Sequence, residues 1–390
     1  MKEVNVLGLF LKEKAHLIEK ISQFTDIRKN PQIKLNHIVL SVLLMPFYSL
    51  TSLLSLDRLS RKQTFRKLFG CTRKMVASDS TVNRAMRWLK EKEIEEFQRS
   101  FLYLFEQELL SRIQLMPKGK YRRIGIVDGS QMGGHFPVAL CLSGKTDYPA
   151  MVMDAHKRGK ELTTAKLLVS QAATVLKGSF PDLFLFDSLY FNRNTFKQVV
   201  RDHKAHLLIK SDEPEFREVL SDARFVFENK KDLKVPVVEK HGFDNIRMCS
   251  WKMEITSGEF AGYPLQIAHL VEDYPKRKNN QHSECWISTT DLSLTPDEIR
   301  EAAHLRWHIE NNGFKRLSHH AGTKRFYFKD PKPFFTMLRI FCAAISLLGI
   351  LLQILKRKAL LFKKVLSGIK PTWKNIFSQL EETLESNIFI

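Results

Sequence analysis

Acidic residues are in short supply along this 390-residue chain. Asp and Glu total 42 against 62 Lys and Arg, which leaves a formal charge of +20. That deficit points to a polyanionic partner, nucleic acid or an anionic membrane surface. Cysteine is sparse too: five are present, at positions 71, 141, 249, 285 and 342, with no C-x-x-C pair. This odd, scattered set fits neither a zinc site nor a disulfide framework, and a reducing compartment is expected. Long apolar runs are also lacking. "IFCAAISLLGILL", between Arg339 and Gln353, falls short of the roughly 20 residues that a spanning helix needs. It reads as a buried core helix, so no membrane partner is expected. The opening "MKEVNVLGLFLKEKAHLIEK" returns to charge after a short apolar patch, unlike a secretory signal. What is present, 44% apolar and 27% charged residues, is ordinary for a globular protein of one to three domains.

Four regions are expected. Residues 1–118 read as helical. "LNHIVLSVLLMPFYSLTSLLSL" suits a buried helical hairpin with Pro46 near its break. In "ASDSTVNRAMRWLKEKEIEEF", Ser80 is the expected N-cap and Val82, Ala85, Met86 and Leu89 share one face. Arg84 and Arg87 point elsewhere, which suits either DNA contact by a helix-turn-helix or plain bundle packing. Residues 119–212 change character. "RRIGIVDGS", "FPVALCLSG" and "YPAMVMDA" read as strands, with a turn at Gly144-Lys145, before a helix over about 160–177. "DLFLFDS", "NRNTFKQVVRDH" and "AHLLIKS" then read as strand, helix and strand. Three strands followed by helix-separated strands predict an α/β fold with a mixed sheet, an order that matches the ribonuclease-H-like fold. Residues 213–290 read as a β-rich insertion of four strands with no crossover helix, and 291–390 as helices ending in basic clusters at Lys356-Arg357-Lys358 and Lys363-Lys364.

Two aspartates close apolar strand-like runs: Asp128 after "IGIV" and Asp187 after "LFLF". A carboxylate at a buried strand end needs a partner, and ligands of α/β sheets bind at strand ends. Either Asp alone is more simply a turn or helix cap; two at corresponding ends weaken that reading. Asp154 ends a similar run and is the alternative to Asp128. A third acid, Glu310, sits in the basic, aromatic stretch "RWHIENNGFKRL". Its helix should begin at a capping box, with Thr295 as N-cap, Pro296 first and Glu298 third. Glu310 would then share a face with Arg306, either as a surface ion pair or as a third carboxylate brought to the two aspartates. Three gathered carboxylates repel without a cation, and oxygen-only ligands suit Mg²⁺ or Mn²⁺. Trp307 is expected in the core, Glu161 at the start of its helix, and the histidines, His135, His156, His308, His319 and His320 among them, in ordinary polar roles.

"IGIVDGS", "LFLFDSLYF" and "LRWHIENNGFKRL" together resemble the three acidic motifs of DDE transposases of the bacterial insertion-sequence-4 type, over about 119–330. Ala303 and Leu317 stand where that family often carries Tyr and Lys. The resemblance implies a ribonuclease-H-like core interrupted by a β-rich insertion, with Asp128, Asp187 and Glu310 as the catalytic, metal-binding triad. It implies two Mg²⁺ (or Mn²⁺) ions about 3.5–4 Å apart. It implies DNA contacts from Arg306, Lys315 and Arg316, helped by Arg84 and Arg87. The partners would be double-stranded DNA, as element ends and target, and a second copy in a homodimer, within a cytoplasmic, nucleoid-associated setting. Two alternatives share these features: a non-catalytic DNA-binding regulator or decayed transposase, and a nuclease on the same fold.

Overall fold

The computed structural model describes residues 16–63, 77–109, 112–116, 119–143, 149–156, 159–211, 217–229, 237–241, 244–255, 260–275, 281–324 and 327–361. Cys71, the turn at Gly144-Lys145 and the Lys363-Lys364 cluster lie outside them. Among the described residues five helices come first: α1 (Leu17–Ser22), α2 (Leu35–Leu44), α3 (Leu53–Ser60), α4 (Asp79–Trp88) and α5 (Glu91–Leu109). Apolar α2 is buried almost all round and Pro46 stands just beyond its end, while α3 is only partly buried, with Leu54 exposed. On α4, Val82, Ala85 and Met86 face inward while Arg84 and Arg87 are exposed. Its N-cap is Ser78, whose hydroxyl accepts from the Thr81 N–H. Ser80, the expected cap, lies inside the first turn instead. Either serine satisfies the local capping pattern, and the packing of the apolar face selects where the helix starts.

The second region builds β1 (Arg112–Gln114), β2 (Tyr121–Gly129), β3 (Phe136–Ser143), β4 (Ala150–His156) and α6 (Glu161–Leu176). There follow β5 (Leu183–Phe186), α7 (Arg193–Phe196, continuing as π-helix through Asp202) and β6 (His206–Ser211). The third contributes α8 (Arg217–Asn229) and β7 (Val237–His241), β8 (Asp244–Glu254), β9 (Pro264–Tyr274) and β10 (Gln281–Thr289). The last contributes α9 (Pro296–Leu305), a π-helical turn (Ile309–Phe314), α10 (Lys315–Ala321) and α11 (Pro331–Leu361). Helix α8 contradicts the expectation of a helix-free stretch. Val219, Leu220 and Ala223, with half-buried Val226 and Phe227, recur at helical spacing and pack inward.

The strands form one mixed sheet in the order β4-β3-β2-β5-β6-β10-β9-β8-β7, with β1 paired on β2. The β2–β3 and β3–β4 pairs are antiparallel, and β2–β5 and β5–β6 are parallel. β10 pairs antiparallel with β6, so β7–β10 extend the same sheet.

Apolar α11 runs through the core. Its Pro331–Leu351 stretch is the one helix among the described residues long and apolar enough to cross a membrane, and its most apolar window is wholly buried. The helix also helps close the sheet. Strand β4 is an edge, with backbone groups that would otherwise lack partners. The Gln98 side chain of α5 takes both the Met153 N–H and its carbonyl, and Ser346 of α11 accepts the Met151 N–H. Beside them Arg339 is almost fully buried. Its guanidinium reaches Asp154 at 2.6 Å, Glu91 at 3.0 Å and Glu95 at 3.5 Å, tying α11 to β4 and α5. Replacing Arg339 by Ala leaves Asp154 buried and unpaired, so R339A is expected to lose about 3–5 kcal/mol in urea unfolding. A loss under about 1 kcal/mol would show that this network does not hold the helix in place.

Candidate active site

Strand β2 is apolar through Ile124, Ile126 and Val127, and all four residues of β5 are buried. Their parallel register pairs Ile124 with Leu183, Gly125 with Phe184 and Ile126 with Leu185. Carried two residues further, it sets Asp128 beside Asp187. Gly125 permits this pairing, because a Cβ there would stand 2.8 Å from the Phe184 ring. Both aspartates thus emerge at the C-terminal rim of adjacent parallel strands.

Glu310 arrives from far along the chain. Helix α9 opens with the expected capping box: Thr295 accepts from the Glu298 N–H, and the Glu298 carboxylate accepts from the Thr295 N–H. Pro296 follows at the first helical position. The helix is held to the sheet by a buried carboxylate on β9. Glu272 accepts from Arg300 Nε at 2.7 Å and lies 3.0 Å from His304 Nε2. Burial works to raise the pKa of Glu272, but the bonds and charges of His304 and Arg300 outweigh it and bring it down to about 2. One turn on, His308 Nδ1 meets the Ser143 hydroxyl of β3 at 3.0 Å. The helix then widens into the π-helical turn that carries Glu310, and π-turns of this kind are common at functional sites. Gly313 in that turn presses on Met151 of β4, where any Cβ would come within 3.0 Å of the thioether.

Arg306 joins the pieces. It is only 6% exposed, and its Nη1 lies 3.3 Å from Asp128 and 3.4 Å from Glu310. Burial pushes the carboxyl of Asp128 up. Arg306 opposes this, repulsion from Asp187 and Glu310 adds to it, and the result is a pKa of about 7. Asp187 and Glu310 therefore both lie close enough to Asp128 to act on its carboxyl. Glu161, at the start of α6, lines the same rim, and a side chain at Gly129 would collide with its carboxylate. The Tyr190 hydroxyl donates to Glu161 at 2.8 Å. Burial and the neighbouring carboxylates of Glu161, Asp128 and Asp187 hold that phenol well above its usual range, so it stays a donor.

The other expected residues divide. Lys315 is exposed and Arg316 half-buried on α10, immediately after the π-turn. Arg84 and Arg87 are exposed on α4, where Arg87 pairs with Asp330 at 2.7 Å. Among the described residues no contact joins either to the carboxylates. Arg306, expected at a phosphate, turns inward to the acids instead. Trp307, expected in the core, is 45% exposed and stacks with the Arg306 guanidinium 4.8 Å from its ring centre. Ile299, Ala302, Arg306 and Ile309 occupy the buried face at regular helical spacing, and Trp307 falls beside it, toward solvent. Asp154 does not join the site. Asp128 pairs across β3 with Ala139, and Ala139 with Met153, so Asp154 points to the opposite face. There its oxygens and those of Glu91 and Glu95 lie within 4.8 Å of one another, a grouping that could hold a cation. Arg339 already supplies positive charge to it. The histidines whose side chains are described keep ordinary contacts: His135 to the Phe328 carbonyl, and His320, driven down to about 3 chiefly by burial, to Ser49. Tyr190 is the site residue that sequence reasoning missed. Its one signal was its place three residues after Asp187.

Because folded Asp128 holds its proton more tightly than the unfolded chain, its stabilising contribution is complete below about pH 4. It is lost as pH rises through about 7, at about 1.4 kcal/mol per pH unit. In EDTA, the melting temperature of D128N is expected to fall less between pH 5 and pH 8 than that of the unaltered protein. Calorimetry showing parallel declines would mean that the carboxyl is not held protonated. The chain matches no protein-family model and no curated protein.

Proposed function

We propose that the chain is a metal-dependent DNA transposase of the DDE type, which cuts and joins strands at the ends of a mobile element. The observation that carries this reading is the convergence of Asp128, Asp187 and Glu310 from β2, the end of β5 and the helix that follows β10. Three further features support it. The order β4-β3-β2-β5-β6, antiparallel and then parallel, supports the expected ribonuclease-H-like arrangement. The β-rich stretch interrupts the core between its last parallel strand and the helix of the third acid. The charge of +20 suits a phosphate backbone.

The donor set suits Mg²⁺ or Mn²⁺: three carboxylates, oxygen ligands only, with Asp128 pushed up first by burial and then by the charges of Asp187 and Glu310. Asp128, Asp187 and Glu310 would hold two such ions. Bound there, the metal would supply an ionised water or 3′-hydroxyl and charge neutralisation at the departing 3′-oxygen. The chain's own groups do the rest. Arg306 offsets part of the repulsion between Asp128 and Glu310 and fixes their spacing. Tyr190 orients Glu161 at the rim. Lys315 and Arg316 follow Glu310 on the same helical run and would take backbone phosphates, while Arg84 and Arg87 would extend the contact on α4. A homodimer gripping paired ends in the cytoplasm, at the nucleoid, completes the reading.

D187N is expected to lower cleavage of a supercoiled plasmid carrying the element ends on the order of 10²–10³-fold, with binding to the same DNA retained. EDTA should stop cleavage of the unaltered protein, and Mn²⁺ should restore it. Undiminished cutting by D187N would remove Asp187 from the mechanism. Cutting without strand transfer would identify a nuclease, and metal-independent binding with no cutting a regulator.

A further inference from the structure

Beside the carboxylates lies a groove that none of the roles above uses. It runs between α6 and α7 and encloses about 530 Å³, within the roughly 300–1,000 Å³ of small-ligand sites. Its position is defined by the chain: Leu162 follows Glu161, and Phe186 precedes Asp187. Buried Val169 and Phe186 give its floor apolar surface, and Leu162, Thr163, Lys166 and Arg193 stand exposed on its rim. Among the described residues neither Lys166 nor Arg193 carries an ion pair. The groove is also preformed. At one end Tyr190 is bonded to Glu161. At the other, buried Gln198 donates to the Lys166 carbonyl at 2.7 Å and to the Ser170 hydroxyl at 2.9 Å, which fixes the spacing of the two helices.

We propose that this groove seats one unpaired nucleotide of the DNA strand running into the carboxylates, its base on the apolar floor and its phosphate against Lys166 and Arg193. This rests on the DNA-processing reading above and adds a strand-holding subsite to it. A volume of about 530 Å³ is that of a small-ligand site, so it has room for one nucleotide of an unpaired strand and none for a duplex. Apolar floor with cationic rim is the pairing that single-stranded nucleic acid requires. Tyr190, which lines the groove, feels the charges of both Asp128 and Asp187, so a nucleotide taken from its stack here would keep the adjoining phosphodiester near the rim that carries them.

The test is fluorescence anisotropy of the full-length protein with a short oligothymidylate and, separately, a duplex of the same length, across a salt series. T163W fills the groove without changing charge, at an exposed position that tolerates bulk. It is expected to weaken oligothymidylate binding about tenfold, with an unchanged salt slope and duplex affinity within about twofold. K166Q and R193Q are expected each to reduce the single-strand salt slope by about 0.7. Wild-type oligothymidylate affinity in T163W, or equal losses on both DNA forms, would overturn the groove proposal while leaving the carboxylate chemistry standing. If the unaltered protein binds neither DNA form, the DNA reading falls and the groove proposal with it.

Discussion

The parallel pairing of β2 with β5 is the constraint on which the rest turns. Its register sets two carboxylates side by side at the rim of a buried sheet. That placement is unfavourable by itself, since each charge loses water and faces the other. The surroundings answer it in steps. Gly125 and Gly129 give the room, Arg306 brings half of a neutralising charge, and a third acid is delivered on a helix whose start, flank and widened turn are each separately held.

Two buried arginines serve two groups of acids in this molecule, and the contrast between them is instructive. Arg339 bonds to Asp154 at 2.6 Å and to Glu91 at 3.0 Å, with its Nε turned to the Met153 carbonyl. That network is closed and joins three elements. Arg306 shares one nitrogen between Asp128 and Glu310 at 3.3 and 3.4 Å, and its Nε is buried without a hydrogen-bond partner. Each group sets acids beside a buried arginine, and the oxygens of the first could also hold a cation. Each group keeps a carboxyl raised by burial and by its acidic neighbours, Glu95 in the first and Asp128 in the second. The sheet itself separates them, because Asp154 lies one residue out of phase with the row that contains Asp128.

Much of this was legible in the chain. Apolar β-forming runs located the core strands within a residue or two, because burial on both faces leaves a continuous apolar signature. The capping box at Thr295 was readable because it is built from neighbours in sequence. Helix α8 was missed although its inward residues recur at helical spacing, because exposed Phe225 makes "FVF" look like part of a strand. Ser78 and Ser80 offered equal capping chemistry. Trp307 and Arg306 exchanged their expected places, the ring outward and the guanidinium inward. The buried row Ile299, Ala302, Arg306, Ile309 keeps helical spacing, but a guanidinium turned inward and an indole turned outward run against residue type and follow from the acids that the helix meets.

Sequence alone determined most of the elements, the excess of positive charge and the acids Asp187 and Glu310 that end up beside Asp128. Each of these is set by local stereochemistry, composition or hydrophobic period. Only the tertiary structure decided which face each acid occupies, that Asp154 belongs to Arg339 and Asp128 to Arg306, that Tyr190 holds Glu161, and that a groove opens between α6 and α7. Those outcomes depend on strand register and helix placement, which join residues distant in the chain. A shift of one residue in either would invert them.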